Sequence, residues 1–182
     1  MKRVVVVLAL CASVAMLAGC GGSSSSDVSA ASYVKSVCTT ATTWKNAIIT
    51  AGQKLEFGLR STSLPQTKAN YVQFVQALES ATGHAANQLA AAGTPSVSGG
   101  KSIASTIVRI FGKAKTNLGH DASEAASIPT TSKSAFSGAA NKVQTDVRNS
   151  LAQMSAITPA NNPPLRSAAA KDSACRNLAS GA

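Results

Sequence analysis

Beyond residue 28, apolar side chains recur every three or four positions in four long segments. Connections that are polar or contain proline separate these segments. The segments span roughly residues 29–59, 71–92, 103–125 and 136–157. Spacing of this kind places the apolar side chains along one face of a helix. The sequence therefore predicts four amphipathic helices, with residues 60–66, 93–100 and 129–132 as their connections.

A shorter periodic segment, residues 165–178, follows Pro159, Pro163 and Pro164 and predicts a short fifth helix. No segment alternates apolar and polar residues for long enough to predict a strand. Four helices of similar length with short links bury their apolar faces best in an antiparallel up-down-up-down bundle. The expected fold is thus all-α, a four-helix bundle with a short C-terminal helix, forming one domain over residues 29–182.

The first 28 residues differ from this pattern. Lys2 and Arg3 precede an unbroken apolar run of 13 residues, 4–16, which is too short to span a bilayer and is typical of a signal peptide. Residues 21–27 contain no apolar side chain and are rich in glycine and serine, so residues 20–28 are expected to form a flexible tether.

The apolar run ends in Leu17, Ala18, Gly19 and Cys20, which resemble the lipobox of bacterial lipoproteins. The resemblance implies that residues 1–19 are a signal peptide, that Cys20 carries a diacylglycerol and palmitate anchor, and that the protein lies on the extracytoplasmic face of the cell membrane. The alternative is an ordinary secretory peptide that leaves Cys20 as a free thiol. The remaining chain loosely resembles small Ala-rich helical lipoproteins of actinobacteria, a likeness that assigns no functional residue.

The chain has four cysteines, of which Cys11 leaves with the signal peptide and Cys20 is the expected lipid site. Cys38 and Cys175 remain, and in an oxidising compartment such a pair predicts a disulfide. In an up-down-up-down bundle, Cys38 and Cys175 lie about 15 and 16 Å from the same end, so the bond would hold the fifth helix on the first. The alternative is two buried free thiols.

Catalytic motifs are absent from the sequence: it contains no phosphate-binding glycine loop, no GxSxG and no HExxH. His84 and His120 would lie about 18 Å apart on paired helices, too far to share one site. His120, Asp121 and Glu124 are a candidate for a weak cation site, although a solvated helix face explains them better. We expect no enzyme activity, no metal and no cofactor.

Positive charge dominates the mature chain, because 17 − 2 = 15 basic residues face 7 acidic ones, a net charge of +8. Lys101, Arg109, Lys113 and Lys115 form a run without any acid. This run is either an ordinary solvated face or a contact for lipid head groups or anionic polymers of the cell envelope. Nucleic acid is not an expected partner, since no aromatic residues interleave with the charges.

Aromatic side chains are few, at 4% of the chain, and most lie on the apolar stripes. Those on the stripes are Trp44, Tyr71, Phe74, Phe111 and Phe136. They are expected to fill the core, or alternatively to line a site for a small apolar ligand. The sequence thus supports two functions: a lipid-anchored, non-catalytic binding or interaction module whose protein partner is unknown, or a carrier with an apolar ligand in its core.

Overall fold

Helices account for almost all of the chain that the computed structural model describes, which is residues 27–58, 63–155 and 162–180. The helices are α1 (Ala30–Gly58), α2 (Leu64–Ala91), α3 (Gly100–Ala126), α4 (Lys133–Ser155), α5 (Pro163–Lys171) and α6 (Ser173–Ala179). The predicted all-α class is confirmed. The predicted signal peptide, Cys20 and the tether as far as residue 26 lie outside the described residues.

Helix α2 begins earlier than its apolar pattern predicts. The Ser63 hydroxyl accepts a hydrogen bond from the N–H of Gln66 at 3.3 Å, and Pro65 lies in the first turn. Proline is tolerated there because the first turn of a helix has no intrahelical partner for its N–H groups. Part of the predicted connection, residues 60–66, is therefore helical.

The C-terminal segment forms two helices where one was predicted. Asp172 adopts an extended conformation between α5 and α6, and its Oδ1 accepts a hydrogen bond from the N–H of Cys175 at 3.0 Å. Asn162 caps α5 in the same way, with Oδ1 accepting from the N–H of Leu165 at 3.2 Å. The prediction of a single helix over residues 165–178 was wrong because Asp172 is a strong N-cap, and it starts a new helix.

A two-residue strand pair fixes the start of the body. Strand β1 (Asp27–Val28) runs parallel to β2 (Thr94–Pro95), and the N–H of Ser96 donates to the Val28 carbonyl at 2.8 Å. A β-carbon at Gly100 would clash with the Pro95 carbonyl oxygen, so the start of α3 needs glycine to approach β2. We call this end of the molecule, where residues 27–28 meet residues 94–100, the entry end.

In the described part of the chain, the buried apolar residues form three clusters along the helices. Helix α2 packs between α1 and α3, α4 packs on α3, and α5 and α6 pack on α1. The distal cluster contains Ala51, Val75, Leu78, Leu118, Ala122, Ala125, Ile128, Val143 and Val147. The central cluster contains Ala85, Leu89, Phe111, Ala114 and Met154. The entry cluster contains Tyr33, Val34, Ala104 and Leu165, beside the entry end.

Candidate functional site

Trp44 and Phe111, two of the five aromatic side chains considered for a ligand site, are in contact in the central cluster. Their ring centroids lie 5.8 Å apart in an edge-to-face arrangement. The Trp44 Nε1–H donates a hydrogen bond to the hydroxyl of fully buried Thr82 at 3.1 Å. This bond satisfies the polar atom of each side chain, so both are built into the contact between α1, α2 and α3.

The other three aromatic side chains belong to the distal cluster. The rings of Tyr71 and Phe74 are stacked with centroids 6.2 Å apart, and Phe136 packs partly buried against the same cluster. The structure therefore divides the five aromatic residues between two clusters. It does not bring them together around a common space.

Polar side chains are buried in the part of the distal cluster where α2, α3 and α4 meet. Asp121 is 6% exposed, and its Oδ2 accepts a hydrogen bond from the Ser150 hydroxyl at 3.1 Å. The Tyr71 hydroxyl is also buried, and among the described residues it has no hydrogen-bond partner. Burial raises the pKa of Tyr71, and the nearby Asp121 carboxylate raises it further.

The burial of Asp121 changes its acidity. Burial is the main reason that its pKa is raised, and the charges of Asp146 and Glu124 add to the effect. The Ser150 hydrogen bond and His120 act in the opposite direction, toward the ionised form. Asp121 therefore releases its proton at a higher pH than an exposed aspartate does.

We expect the contribution of Asp121 to stability to fall as the pH rises above about 4, so the parent should lose more unfolding free energy over this range than Asp121→Asn. The folded-state pKa of Asp121 lies above the unfolded value, so the unfolded chain releases the proton first and deprotonation favours unfolding. The contribution of Asp121 is complete below the unfolded pKa and is lost as the pH passes the raised folded pKa. Denaturant unfolding at a series of pH values measures this difference.

The matched control for this measurement is Glu56→Gln, which removes an exposed carboxylate from α1. This variant should keep the pH dependence of the parent. If the parent and Asp121→Asn show the same change of unfolding free energy with pH, Asp121 is not the group responsible.

The candidate cation site on α3 is not assembled. Asp121 faces inward to Ser150, whereas His120 and Glu124 are exposed. Glu124 accepts a hydrogen bond from Lys142 Nζ of α4 at 2.7 Å, and the same Nζ donates to Asp146 at 3.0 Å. The Glu124 hydrogen bond, followed by that of Asp146, raises the pKa of Lys142. These residues therefore form a surface ion-pair network between α3 and α4.

Cys38 and Cys175 are joined in a disulfide between α1 and α6, as the sequence predicts, with their Cα atoms 5.1 Å apart. A carboxylate oxygen of Asp172 lies within 4.8 Å of both sulfur atoms. Two thiolates and a carboxylate could hold zinc, but sulfur atoms bonded to each other are not thiolates. The Asp172 carboxylate has a role already, since it caps α6.

The basic residues of α3 are all exposed and run along the helix from the entry end. Lys101 lies in the first turn, and Arg109, Lys113 and Lys115 follow toward the middle of the body. A β-carbon at Gly83 of α2 would lie 3.3 Å from Cε of Lys115, so the alkyl chain of this lysine crosses the neighbouring helix. The predicted basic run therefore extends along one side of the bundle.

Two surface depressions lie at opposite ends of the body, and both are open. One, of about 490 Å³, is lined by Asp27 and residues 94–101 at the entry end. The other, of about 370 Å³, lies between α3 and α4 beside His120, Glu124 and Lys142. No family model, curated protein or solved structure matches the chain. In the described part of the chain, no helix combines the length and apolar character that crossing a membrane requires.

The burial of Asp121 and Ser150 is visible in the apolar spacing of the sequence. Leu118, Asp121, Ala122 and Ala125 share the spacing of one helix face, which places an acid within an apolar stripe. Ser150 occupies the equivalent position on α4, three residues after Val147. A polar residue on an apolar stripe is the signal that such a group leaves in a sequence.

Proposed function

We propose that this protein is a non-catalytic interaction module held on the extracytoplasmic face of the cell membrane by a lipid on Cys20. The sequence of residues 1–20 supports the anchor, since a basic start, a short apolar run and a lipobox occur in order. The polar residues 21–26 then lead directly into β1 at Asp27, so a short tether would join the membrane to the folded body.

The packing of the core is the observation that favours an interaction module over a carrier. Trp44 and Phe111 contact each other, and Tyr71, Phe74 and Phe136 pack in a separate cluster. A carrier for a small apolar molecule needs a concave space lined by such side chains. Here the aromatic side chains pack against one another and against the two clusters, which supports recognition at the outer surface.

We also propose that the four long helices alternate in direction as an up-down-up-down bundle. Trp44 contacts Thr82, and Gly58 contacts Asn70. Residue numbers therefore increase along α1 in the direction in which they decrease along α2. Lys115 crosses Gly83, and Glu79 lies 3.3 Å from a β-carbon at Gly119, which gives the same relation for α2 and α3. Asp121 with Ser150 and Glu124 with Lys142 support an opposite course for α3 and α4.

The surface with the clearest partner chemistry is the basic one. Lys101, Arg109, Lys113 and Lys115 are exposed on α3 and would attract lipid head groups or the anionic polymers of the cell envelope. A protein partner would use another part of the surface. Ile49 of α1 is the large apolar side chain most exposed among the described residues, at 47%, and offers a contact point.

Mass spectrometry of the lipidated protein, purified from its own membrane, distinguishes a module from a carrier. A ligand bound without a covalent bond is lost on denaturation, whereas a lipid on Cys20 remains attached. For a module, we expect the protein to have the same mass under native and denaturing conditions. We also expect a photocrosslinker placed at position 49 to form a crosslink with one specific protein in intact cells. A mass lost on denaturation that corresponds to one small apolar molecule would instead establish the carrier.

A further inference from the structure

The charged residues are distributed unevenly along the length of the bundle. Helix α3 starts at the entry end, so each of its residues lies about 1.5 Å further from that end than the one before. The contact between Lys115 and Gly83, together with the Trp44–Thr82 hydrogen bond, places Trp44 about 24 Å from the entry end. The start of α1 then lies within about 3 Å of the same level, which gives one scale for the whole body.

The basic residues of α3 all lie within about 22 Å of the entry end, in the part of the body that we call the entry half. On this scale Lys101 lies at about 2 Å, Arg109 at about 14 Å, and Lys113 and Lys115 at about 20 and 22 Å. Glu79 of α2, level with Gly119, is the first acid on this side, at about 28 Å. The run of positive charge therefore ends where acidic residues begin.

The C-terminal helices add positive charge to the same half. Asn162 Nδ2 donates to the Ser98 carbonyl at 3.1 Å, which places the start of α5 at the entry end. The disulfide holds Cys175 at the level of Cys38, about 15 Å along the body. The exposed basic residues of this region are Lys35, Arg166, Lys171 and Arg176.

Five of the seven acidic residues lie in the other half. Asp27 and Asp172 are the two acids that accompany the eight basic residues of the entry half, which leaves a net charge of +6. Lys45, the residue after Trp44, lies near the boundary between the two halves. Arg60 lies outside the described residues. Among the described residues beyond the boundary, five acids are matched by five basic residues. These residues are Glu56, Glu79, Asp121, Glu124 and Asp146 with Lys54, Lys68, Lys133, Lys142 and Arg148.

The tether connects to the positive half of this charge distribution. The chain from Cys20 to Asp27 spans at most about 25 Å when fully extended, and about 15 Å as a flexible coil. Screening limits the attraction of an anionic surface to about 8 Å at physiological ionic strength. An anchor at Cys20 would therefore keep the positive half within reach of the head groups, whereas the described residues of the other half have no net charge to attract it there.

We propose that the entry half of the body binds the anionic lipid head groups of the membrane that holds its anchor, so that the distal half faces outward. The lipid surface is favoured over a wall polymer because β1 fixes the positive half at the tether. The proposal rests on the proposed lipid anchor. It assigns the distal half, with Ile49 about 31 Å from the entry end, to the protein partner.

Lysine acetylation of the lipidated protein in vesicles tests this orientation. The protein is reconstituted in phosphatidylcholine vesicles with and without phosphatidylglycerol, and the rate at each lysine is measured by mass spectrometry. We expect Lys35 and Lys101 to react several-fold more slowly on the anionic vesicles, and Lys54 and Lys133 to react equally on both. High salt should remove the difference, because it screens the attraction.

Two charge-matched variants separate orientation from total charge. Protection here means slower acetylation on anionic vesicles than on phosphatidylcholine alone. The double variant Lys35→Gln/Lys101→Gln should reduce the protection of Lys171. The double variant Lys54→Gln/Lys133→Gln should leave the protection of Lys171 unchanged. The proposal would be overturned if both variants lost the protection of Lys171 equally. It would also be overturned if Lys133 of the parent were protected as strongly as Lys101. Protection by a wall-polymer fraction but not by anionic vesicles would overturn it too and assign the surface to the polymer.

Flotation on pure phosphatidylcholine vesicles distinguishes failure of the orientation from failure of the anchor. A protein that does not float lacks the lipid, and the proposed function fails together with this inference. A protein that floats but shows no protection on anionic vesicles retains the anchor, and then only the orientation is wrong.

Discussion

Replacing Cys38 and Cys175 together by serine is expected to lower the unfolding free energy by about 2 to 4 kcal/mol and Tm by about 5 to 15 °C. The bond spans 137 residues, for which the chain-entropy model gives about 5 kcal/mol, more than most measured gains. The C-terminal helices depend on it, because α5 buries Leu165 and α6 contributes no fully buried side chain. Thermal unfolding followed by circular dichroism measures the change.

Reductant provides the control for the disulfide prediction. It should lower the Tm of the parent toward that of the double variant and leave the variant unchanged. Amide hydrogen exchange should rise mainly in α5 and α6, which lose their covalent link to α1. Alkylation of both cysteines in the denatured parent without reductant would show that the bond does not form.

Cys20→Ala is expected to remove the protein from the membrane fraction, because the acyl transfer needs the Cys20 thiol. A variant whose signal peptide has been removed then carries no lipid to hold it, so most of it should be found in the soluble fraction. Fractionation with quantitative immunoblotting measures it, and intact mass shows whether the lipid is present.

Cys11→Ala is the matched control for the anchor, since it removes a cysteine from the same apolar run and leaves the Cys20 thiol in place. This variant should stay in the membrane fraction. A Cys20→Ala protein that is cleaved normally and recovered in the membrane at the parent level would refute the lipoprotein interpretation.

The long helices could be predicted because each carries three or more turns of regular apolar spacing. Local features within a few residues of their ends could not. Pro65 was interpreted as a helix break, but it lies in the first turn of α2. Asp172 was placed inside a continuous helix, but it caps the start of α6. Strand β1 has two residues, too few for periodicity to indicate a strand, and its partner β2 lies more than 60 residues away in the sequence.

The disulfide could be predicted because counting cysteines left a single pair and the expected levels of the two residues agreed. Phe111 lies in the buried core and the other four aromatic residues of the stripes pack partly buried against it, but their division between two clusters depends on how the helices are aligned. The burial of Asp121 was missed because its neighbours His120 and Glu124 suggested a solvated face. The charge distribution needed the alignment of all the helices, which no single segment of sequence contains.

The disulfide also determines how the body would respond to mechanical load. A pull on the chain ahead of Asp27 acts first on the short β1–β2 pairing and then on the first turns of α1. About two turns into α1, Cys38 is bonded to Cys175, so further extension must drag α6 and α5 with it. The covalent bond thus acts as a stop, because α1 cannot unravel past Cys38 from its start without also moving the C-terminal helices that pack on it.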